Sequence, residues 1–330
     1  MHKLVLNRFA WFALIACAPL TSSIAAMADG LYAGHAPPLE IESVDTVSLV
    51  AADDQRPVPL QIFYPRQGGP YPLIVLSHGT FSSIHRYDRI AAYWAGQGYV
   101  VILPQHKDAN YGVRPTGYAV MQDVTRTRVA DMTLVLDELD SIEKQLSGLV
   151  GKIDRGRYIA AGHSIGTQVA MLVTGLSYRN GFDDEVMASA ERRYIALVLI
   201  SDPGKMRLMP ADTWTAGSVP TFMATGTDDY GLMGARGESA EAQSTLLSSG
   251  EDSAEVARYL LLLDGGDHYF GGLIQKDVKA EPDYQGLAIF NAISTAFMDA
   301  VVKDDDRARA WLDTIDLPGV TAGRASLEKD

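Results

Sequence analysis

The sequence predicts an α/β fold in which helices cover both faces of a mostly parallel sheet. Short, continuous apolar runs recur along the chain, and segments with apolar residues at helical spacing separate them. Such runs are typical of strands that are buried on both faces of a parallel sheet. Their alternation with helices favours right-handed crossovers between parallel strands.

The elements follow in order from an N-terminal hairpin. Segments 41–50 and 58–64 alternate apolar and polar residues around the turn Asp53-Asp54-Gln55, which predicts two antiparallel strands. Predicted parallel strands follow at 73–76, 99–103, 158–161, 195–200, 221–224 and 259–263. Predicted helices lie at 87–97, 123–146, 164–176, 240–247 and 284–302. The pattern weakens after Asp313, so we expect a loose tail there.

The first 28 residues have the pattern of a secretory signal peptide. Lys3 and Arg8 give a positive start, residues 9–20 are apolar, and Ala26-Met27-Ala28 is a small-x-small cleavage site. The apolar run is shorter than the roughly 20 residues that span a bilayer. We therefore expect a secreted or periplasmic protein with a single domain over residues 29–330.

Cys17 is the only cysteine, and it leaves one alternative open. Leu14-Ile15-Ala16-Cys17 resembles a bacterial lipobox, so the chain can also be a lipoprotein anchored through Cys17. Cleavage after Ala28 would leave no cysteine for a disulfide, a thiol nucleophile or a cysteine zinc site. We expect no metal and no cofactor.

The net charge of −13 at pH 7 bears on partners. An acidic protein has no electrostatic attraction to nucleic acid or anionic lipid. We therefore expect a small-molecule substrate, no nucleic acid and no obligatory membrane partner. The oligomeric state stays open.

The segment Gly162-His163-Ser164-Ile165-Gly166 is a G-x-S-x-G motif between a predicted strand and a predicted helix. This context is that of the nucleophile of an α/β-hydrolase fold, where the serine occupies a tight turn between glycines. Ser164 is therefore the predicted nucleophile. The amide of Ile165, at the start of the helix, is a predicted donor to an oxyanion.

Two further loops follow predicted strands. Ser77-His78-Gly79-Thr80 precedes the motif, and a His-Gly step there typically supplies the second oxyanion amide, here that of Thr80. His78 itself is expected to be structural. His268 follows the last parallel strand, where this fold carries its general base, and the chain order of serine, acid and histidine agrees.

The acid must lie between Ser164 and His268. Asp229 is three residues beyond Gly226, at the end of the predicted strand 221–224, and is our choice. Asp228 is adjacent to it. Asp202 follows the preceding strand and remains a rival.

The chain resembles the bacterial dienelactone-hydrolase-like and platelet-activating-factor-acetylhydrolase-like branch of the α/β-hydrolases. The matching stretches are 72–79, 98–108 (ending Gln105-His106-Lys107-Asp108), 162–166, 220–229 and 259–272. The resemblance implies an esterase without a metal. It also implies Ser164 as nucleophile, Asp229 as acid, His268 as base, and Thr80 and Ile165 as oxyanion donors.

The resemblance has one departure and leaves one choice open. Dienelactone hydrolases proper use a cysteine nucleophile, which makes dienelactone a doubtful substrate for a chain with Ser164. The acetylhydrolases can place their acid after the preceding strand, which keeps Asp202 in consideration.

These features together predict a carboxylic ester hydrolase that acts through an acyl-enzyme. An amidase or peptidase with the same triad, or a non-catalytic binding protein of this fold, remains an alternative. Only residues 201–219 are available for a lid between two predicted strands, so we expect a minimal lid. Phe81 and Tyr269 are the predicted substrate-binding residues.

Overall fold

A computed structural model describes residues 30–110, 118–180, 184–202, 219–230, 256–274 and 280–329. Within these ranges, nine strands form one sheet in the order β1-β2-β4-β3-β5-β8-β9-β10-β11. The strands are β1 (Ile41–Val50), β2 (Pro57–Pro65), β3 (Tyr71–Ser77), β4 (Val100–Pro104), β5 (Ile153–His163), β8 (Tyr194–Ile200), β9 (Thr221–Gly226), β10 (Arg258–Leu263) and β11 (Ala325–Lys329). A separate antiparallel pair consists of β6 (Tyr178–Arg179) and β7 (Val186–Met187).

The centre of the large sheet is parallel and its edges are antiparallel. Strands β4, β3, β5, β8, β9 and β10 run in the same direction. The β1–β2 hairpin joins one edge through β4, and β11 pairs with β10 at the other. The chain has the α/β-hydrolase fold, as the sequence predicts. Parallel strands end at the same edge, so the loops after them meet there.

Helices cover both faces of the sheet. The described helices are α1 (Asp88–Gly96), α2 (Tyr118–Asp137), α3 (Leu139–Gln145), α4 (Ile165–Val173), α5 (Tyr284–Val301), α6 (Asp306–Thr314) and α7 (Leu317–Val320). Alternate residues of β3 point to opposite faces. Ile74 packs in the core with Trp94 of α1, whereas Val75 packs with Met132 of α2 and Val169 of α4.

One expectation about helices differs from the structure, and another is not tested by it. The helix predicted over 123–146 is interrupted at Glu138, whose φ is −105° and ψ is 21°. The following short helix, α3, buries Leu139 and Ile142, so packing stabilises the break. The helix predicted at 240–247 lies outside the described residues. So do the predicted signal peptide, Cys17 and most of the predicted lid segment.

The expectation of a loose tail after Asp313 is wrong. Helix α7 and strand β11 lie in this region, and Leu327 of β11 is paired with Leu261 of β10. The Asp316 side chain accepts a hydrogen bond from the Gly319 amide at the start of α7. The C-terminal segment therefore completes one edge of the sheet.

Helix α5 is long and apolar enough to cross a membrane, but it is a core element. The candidate span is Tyr284–Val302, and 83% of its 18-residue apolar window is buried inside the protein. Phe290 and Phe297 pack against Phe222 of β9 with ring centroids 6.1 and 5.7 Å apart. Its hydropathy therefore reflects burial against the sheet.

Candidate active site

Ser164 occupies a strained turn between β5 and α4. Its φ is 54° and its ψ is −126°, a conformation that costs a non-glycine residue about 1–3 kcal/mol. A Cβ at Gly162 would lie 2.1 Å from the Gly166 carbonyl oxygen, and one at Gly166 would lie 2.2 Å from the Ser77 carbonyl oxygen. Gly162 therefore allows the turn to close on itself, and Gly166 allows it to pack against the end of β3. The turn formed by residues 162–166 is called the elbow below.

The residues that follow β3 lie next to this serine. A Cβ on Gly79 would be 3.5 Å from the Ser164 Cβ. In the loop of residues 78–82, called the donor loop below, the Gly79 amide donates to Tyr87 Oη at 2.8 Å and the Phe81 amide donates to Asp108 Oδ2 at 2.9 Å. The Thr80 amide between them has no acceptor among the described residues. It is therefore free to donate a hydrogen bond to another group.

The other predicted donor is the amide of Ile165, the first residue of α4. The first amides of a helix have no acceptor within the helix, and the positive end of the helix dipole favours negative charge there. Ile165 itself is buried. The amides of Thr80 and Ile165 thus lie in the donor loop and the elbow, the two segments that adjoin Ser164.

The structure brings the predicted base and acid together. His268 Nδ1 lies 2.8 Å from Asp229 Oδ1, and the other carboxylate oxygen accepts a hydrogen bond from Thr225 Oγ1 at 3.0 Å. Asp229 is fully buried, whereas the His268 side chain is 15% exposed. A carboxylate at Nδ1 keeps the proton on that nitrogen and leaves Nε2 to accept another.

Asp202, the rival acid, has a different partner. Its carboxylate accepts a hydrogen bond from Thr167 Oγ1 of α4 at 2.7 Å, and it is buried. Asp228, the neighbour of Asp229, donates its amide to the Gly266 carbonyl oxygen at 2.9 Å. The carboxylate that faces His268 Nδ1 is thus that of Asp229.

No hydrogen bond joins the side chains of Ser164 and His268 in the described part of the structure. Within the described part of the chain, Ser164 Oγ makes no hydrogen bond, so it does not engage His268 Nε2. The neighbouring residue His163 does reach the base, because its Nε2 lies 2.9 Å from the His268 carbonyl oxygen and the two rings are 4.9 Å apart. Catalytic hydrogen bonds are often long without substrate.

The two predicted substrate-binding residues flank this group. Phe81 follows Thr80, is partly exposed, and has a positive φ of 54°. Tyr269 follows His268, is also partly exposed, and packs its ring edge-on against the His268 ring at 4.7 Å. Phe81 thus comes directly after the Thr80 amide in the sequence, and Tyr269 comes directly after the candidate base His268.

A buried ion pair behind the donor loop escaped the sequence analysis. Arg128 donates to Asp108 through Nη2 at 2.6 Å and Nε at 2.9 Å, and neither residue is exposed. Burial alone would raise the pKa of the Asp108 carboxyl, but the Arg128 guanidinium outweighs it and holds that pKa well below its usual range. Arg128 also donates to the carbonyl oxygens of His78 and Gly79. The pair therefore holds the donor loop from the side of α2.

A second serine, histidine and aspartate lie together in the core. Ser77 Oγ is 2.9 Å from His106 Nε2, and His106 Nδ1 is 2.8 Å from Asp131 Oδ2. Arg56 forms an ion pair with the same aspartate. Burial lowers the pKa of His106 well below its ordinary value, so the ring is neutral and carries a proton on one of its two nitrogens. All three members are at most 1% exposed.

Comparison with known proteins adds one match. Residues 33–184 match the model of the Chlorophyllase family, which is of the α/β-hydrolase type. This segment is less than half of the chain, and it includes Thr80 and Ser164 but ends before Asp229 and His268. The narrower resemblance to dienelactone hydrolases and acetylhydrolases stays a prediction. No curated protein matches the chain.

Proposed function

We propose that this protein is a serine esterase that hydrolyses carboxylic esters of small molecules through an acyl-enzyme. The observation that carries the proposal is the pairing of His268 with the buried Asp229, next to the strained elbow that holds Ser164. The match of residues 33–184 to Chlorophyllase, a family of ester hydrolases, supports the reaction class.

The proposed reaction begins when Ser164 Oγ attacks the ester carbonyl carbon. His268 Nε2 takes the hydroxyl proton, and Asp229 stabilises the imidazolium through its bond to Nδ1. The carbonyl oxygen becomes an oxyanion that accepts hydrogen bonds from the Thr80 and Ile165 amides, each worth about 3 kcal/mol. The tetrahedral intermediate then expels the alcohol, which receives the proton from His268.

The second half of the reaction releases the acid. Water gives a proton to His268 Nε2 and attacks the acyl carbon, and the new tetrahedral intermediate expels Ser164 Oγ, which takes the proton back. Phe81 and Tyr269 are proposed to contact the substrate on either side of the reacting carbon, because they follow the donor loop's free amide and the base. No metal or cofactor takes part in these steps.

The nucleophile can be tested directly. Ser164→Ala should lower the hydrolysis of p-nitrophenyl esters by about 10⁴-fold or more, because loss of a triad nucleophile typically costs that much. A fluorophosphonate should label Ser164 and no other residue. Ser77→Ala is the matched control, since this buried serine also bonds a histidine, and it should keep both activity and labelling. Labelling at Ser77, or an active Ser164→Ala, would contradict the proposal.

The same substrate panel defines the acyl preference. Esters of rising acyl length, each with the corresponding anilide, separate an esterase from an amidase that uses the same triad. Faster cleavage of the anilides would reassign the reaction to amide hydrolysis.

Export is a separate proposal, based on residues 1–28. We propose that they direct secretion and are removed after Ala28. Mass spectrometry of the mature protein should then find Asp29 at its N-terminus. A lipid on Cys17 would instead identify a membrane-anchored lipoprotein.

A further inference from the structure

His163, which precedes Ser164 in the elbow, is linked to the other two segments of the candidate site, directly to His268 and through Tyr87 to the donor loop. Its Nε2 is 2.9 Å from the carbonyl oxygen of His268, and its Nδ1 is 2.9 Å from Tyr87 Oη. The same tyrosine oxygen accepts the Gly79 amide at 2.8 Å. A continuous chain of three hydrogen bonds therefore runs from the donor loop, through the elbow, to the residue that carries the base.

The direction of each bond in this chain is fixed. A carbonyl oxygen only accepts, so His163 must carry a proton on Nε2. Burial lowers the pKa of His163 to about 3, so the ring is neutral and its Nδ1 accepts. Burial raises the pKa of Tyr87 to about 12, so the hydroxyl keeps its proton and donates it to that nitrogen. Only the tautomer of His163 that carries its proton on Nε2 allows all three hydrogen bonds to form.

The chain also packs tightly. Tyr87 has no exposed surface and His163 is 1% exposed. A Cβ on Gly79 would lie 3.0 Å from His163 Nδ1 and 3.2 Å from Tyr87 Oη, so the backbone of the donor loop rests directly on this pair. Hydrogen bonds in such a dry environment are strong, and an unpaired member is costly.

We propose that Tyr87 and His163 are positioning residues that hold the donor loop and the base in register with Ser164. The inference rests on the function proposed above. His163 fixes the peptide carbonyl of His268, whose ring must face Asp229. Tyr87 fixes the amide of Gly79, which immediately precedes the Thr80 donor, and a misplacement of about 1 Å can cost 10²-fold in rate.

The sharpest test is Tyr87→Phe, which removes a single oxygen atom. The Gly79 amide and His163 Nδ1 then lose their shared partner. We expect kcat for a p-nitrophenyl ester to fall roughly 10- to 100-fold, KM to change less than about threefold, and the rate of fluorophosphonate labelling to fall with kcat. Such a split indicates that the reacting groups have moved while substrate binding is preserved.

Tyr194→Phe is the matched control. Tyr194 is also buried, and its hydroxyl donates to the carbonyl oxygen of Met132 at 2.9 Å, outside the three segments of the site. This variant should lose comparable stability in a urea titration and keep its kcat. An equal fall of kcat in both variants would mean general loosening of the core, and would overturn the positioning role.

The His163 ring provides a readout that does not depend on substrate. In ¹⁵N NMR the wild-type ring should show a proton on Nε2 alone at neutral pH, and Tyr87→Phe should shift the Nδ1 resonance toward that of an imidazole nitrogen without a donor. His163→Gln, whose amide can still donate to the His268 carbonyl, should retain more activity than His163→Leu. Equal activity of these two variants would overturn the role of the Nε2 bond.

These experiments test the proposed function and the positioning role of Tyr87 and His163 separately. A wild-type protein that fluorophosphonate does not label would overturn the proposed function, and the positioning role would fall with it. A labelled wild type together with a folded Tyr87→Phe that reacts within twofold of it would overturn the positioning role alone.

Discussion

Replacing Asp229 by Asn should force His268 into a tautomer that cannot act as a base. One carboxylate oxygen accepts from His268 Nδ1 at 2.8 Å and the other accepts from Thr225 Oγ1 at 3.0 Å. We expect the asparagine oxygen to accept from the Thr225 hydroxyl as the carboxylate does, so that its NH₂ group faces His268. Two donors cannot share a hydrogen bond, so the imidazole proton moves to Nε2.

The expected loss follows from the role of that nitrogen. A protonated Nε2 cannot accept the Ser164 proton, and the imidazolium also loses its carboxylate. In a serine triad this change costs about 10⁴ in kcat, which is about 5.5 kcal/mol of transition-state stabilisation. Asparagine has nearly the same shape as aspartate and keeps the bond to Thr225, so the fold should be preserved.

The assay compares Asp229→Asn with Asp202→Asn under conditions that saturate the enzyme with a p-nitrophenyl ester. Asp202 accepts a hydrogen bond from Thr167 at 2.7 Å, which an asparagine oxygen can also accept. Its variant should therefore keep kcat within about tenfold, with the main effect on stability. Urea unfolding verifies that both variants are folded. A folded, inactive Asp202→Asn beside an active Asp229→Asn would refute the assignment and place the acid after β8.

Three further predictions concern stability and the elbow. Acidification from pH 7 to 5 should lower the free energy of unfolding by about 2 kcal/mol through His163, because its folded pKa is about 3 and its unfolded pKa is near 6.5. This stabilising contribution is fully present above pH 6.5 and is lost as the pH falls toward 3. Urea unfolding at pH 7 and pH 5 measures it. If the free energy of unfolding of His163→Gln changes with pH as much as that of the wild type, the prediction is contradicted. Asp108→Asn should cost about 3–5 kcal/mol in the same measurement, because Arg128 would keep its buried charge without a charged partner; a loss under about 1 kcal/mol would argue against that. Gly162→Ala should abolish fluorophosphonate labelling, since its Cβ would lie 2.1 Å from a backbone oxygen, whereas Gly156→Ala, with its nearest neighbour at 3.5 Å, should react like the wild type.

The parallel strands were predictable because their signal is local. A strand that is buried on both faces is typically apolar at every position, as in residues 196–200, and no contact elsewhere is needed to recognise it. Strand β11 lacks this signal, since Ser326, Glu328 and Lys329 make it largely polar. It forms by pairing with β10, more than 60 residues earlier in the chain. The interruption of the helix at Glu138 likewise has no proline or glycine beside it from which it could be predicted.

The candidate site divides in the same way. The elbow could be located because its two glycines and its serine lie within five consecutive residues, and the geometry of the turn determines their spacing. The sequence favoured Asp229 as the acid but left Asp202 as a rival, because both follow strands that end at one edge of the sheet. No feature of the sequence pointed to Tyr87, since its proposed role depends on a contact with His163, which is 76 residues away.

Hydrogen bonds alone would select a serine other than Ser164. The chain of Ser77, His106 and Asp131 is complete, with contacts of 2.9 and 2.8 Å, whereas the contact between Ser164 and His268 is open. A nucleophile must also meet its substrate, and the members of the complete set are at most 1% exposed. Ser77 lies in a regular strand, and its own carbonyl oxygen packs against the elbow at Gly166. Ser164 instead is partly exposed on a strained turn beside two amides suited to an oxyanion. Access and backbone strain therefore make Ser164 the candidate nucleophile. The buried residues Ser77, His106 and Asp131 instead support the end of β3, against which the elbow packs.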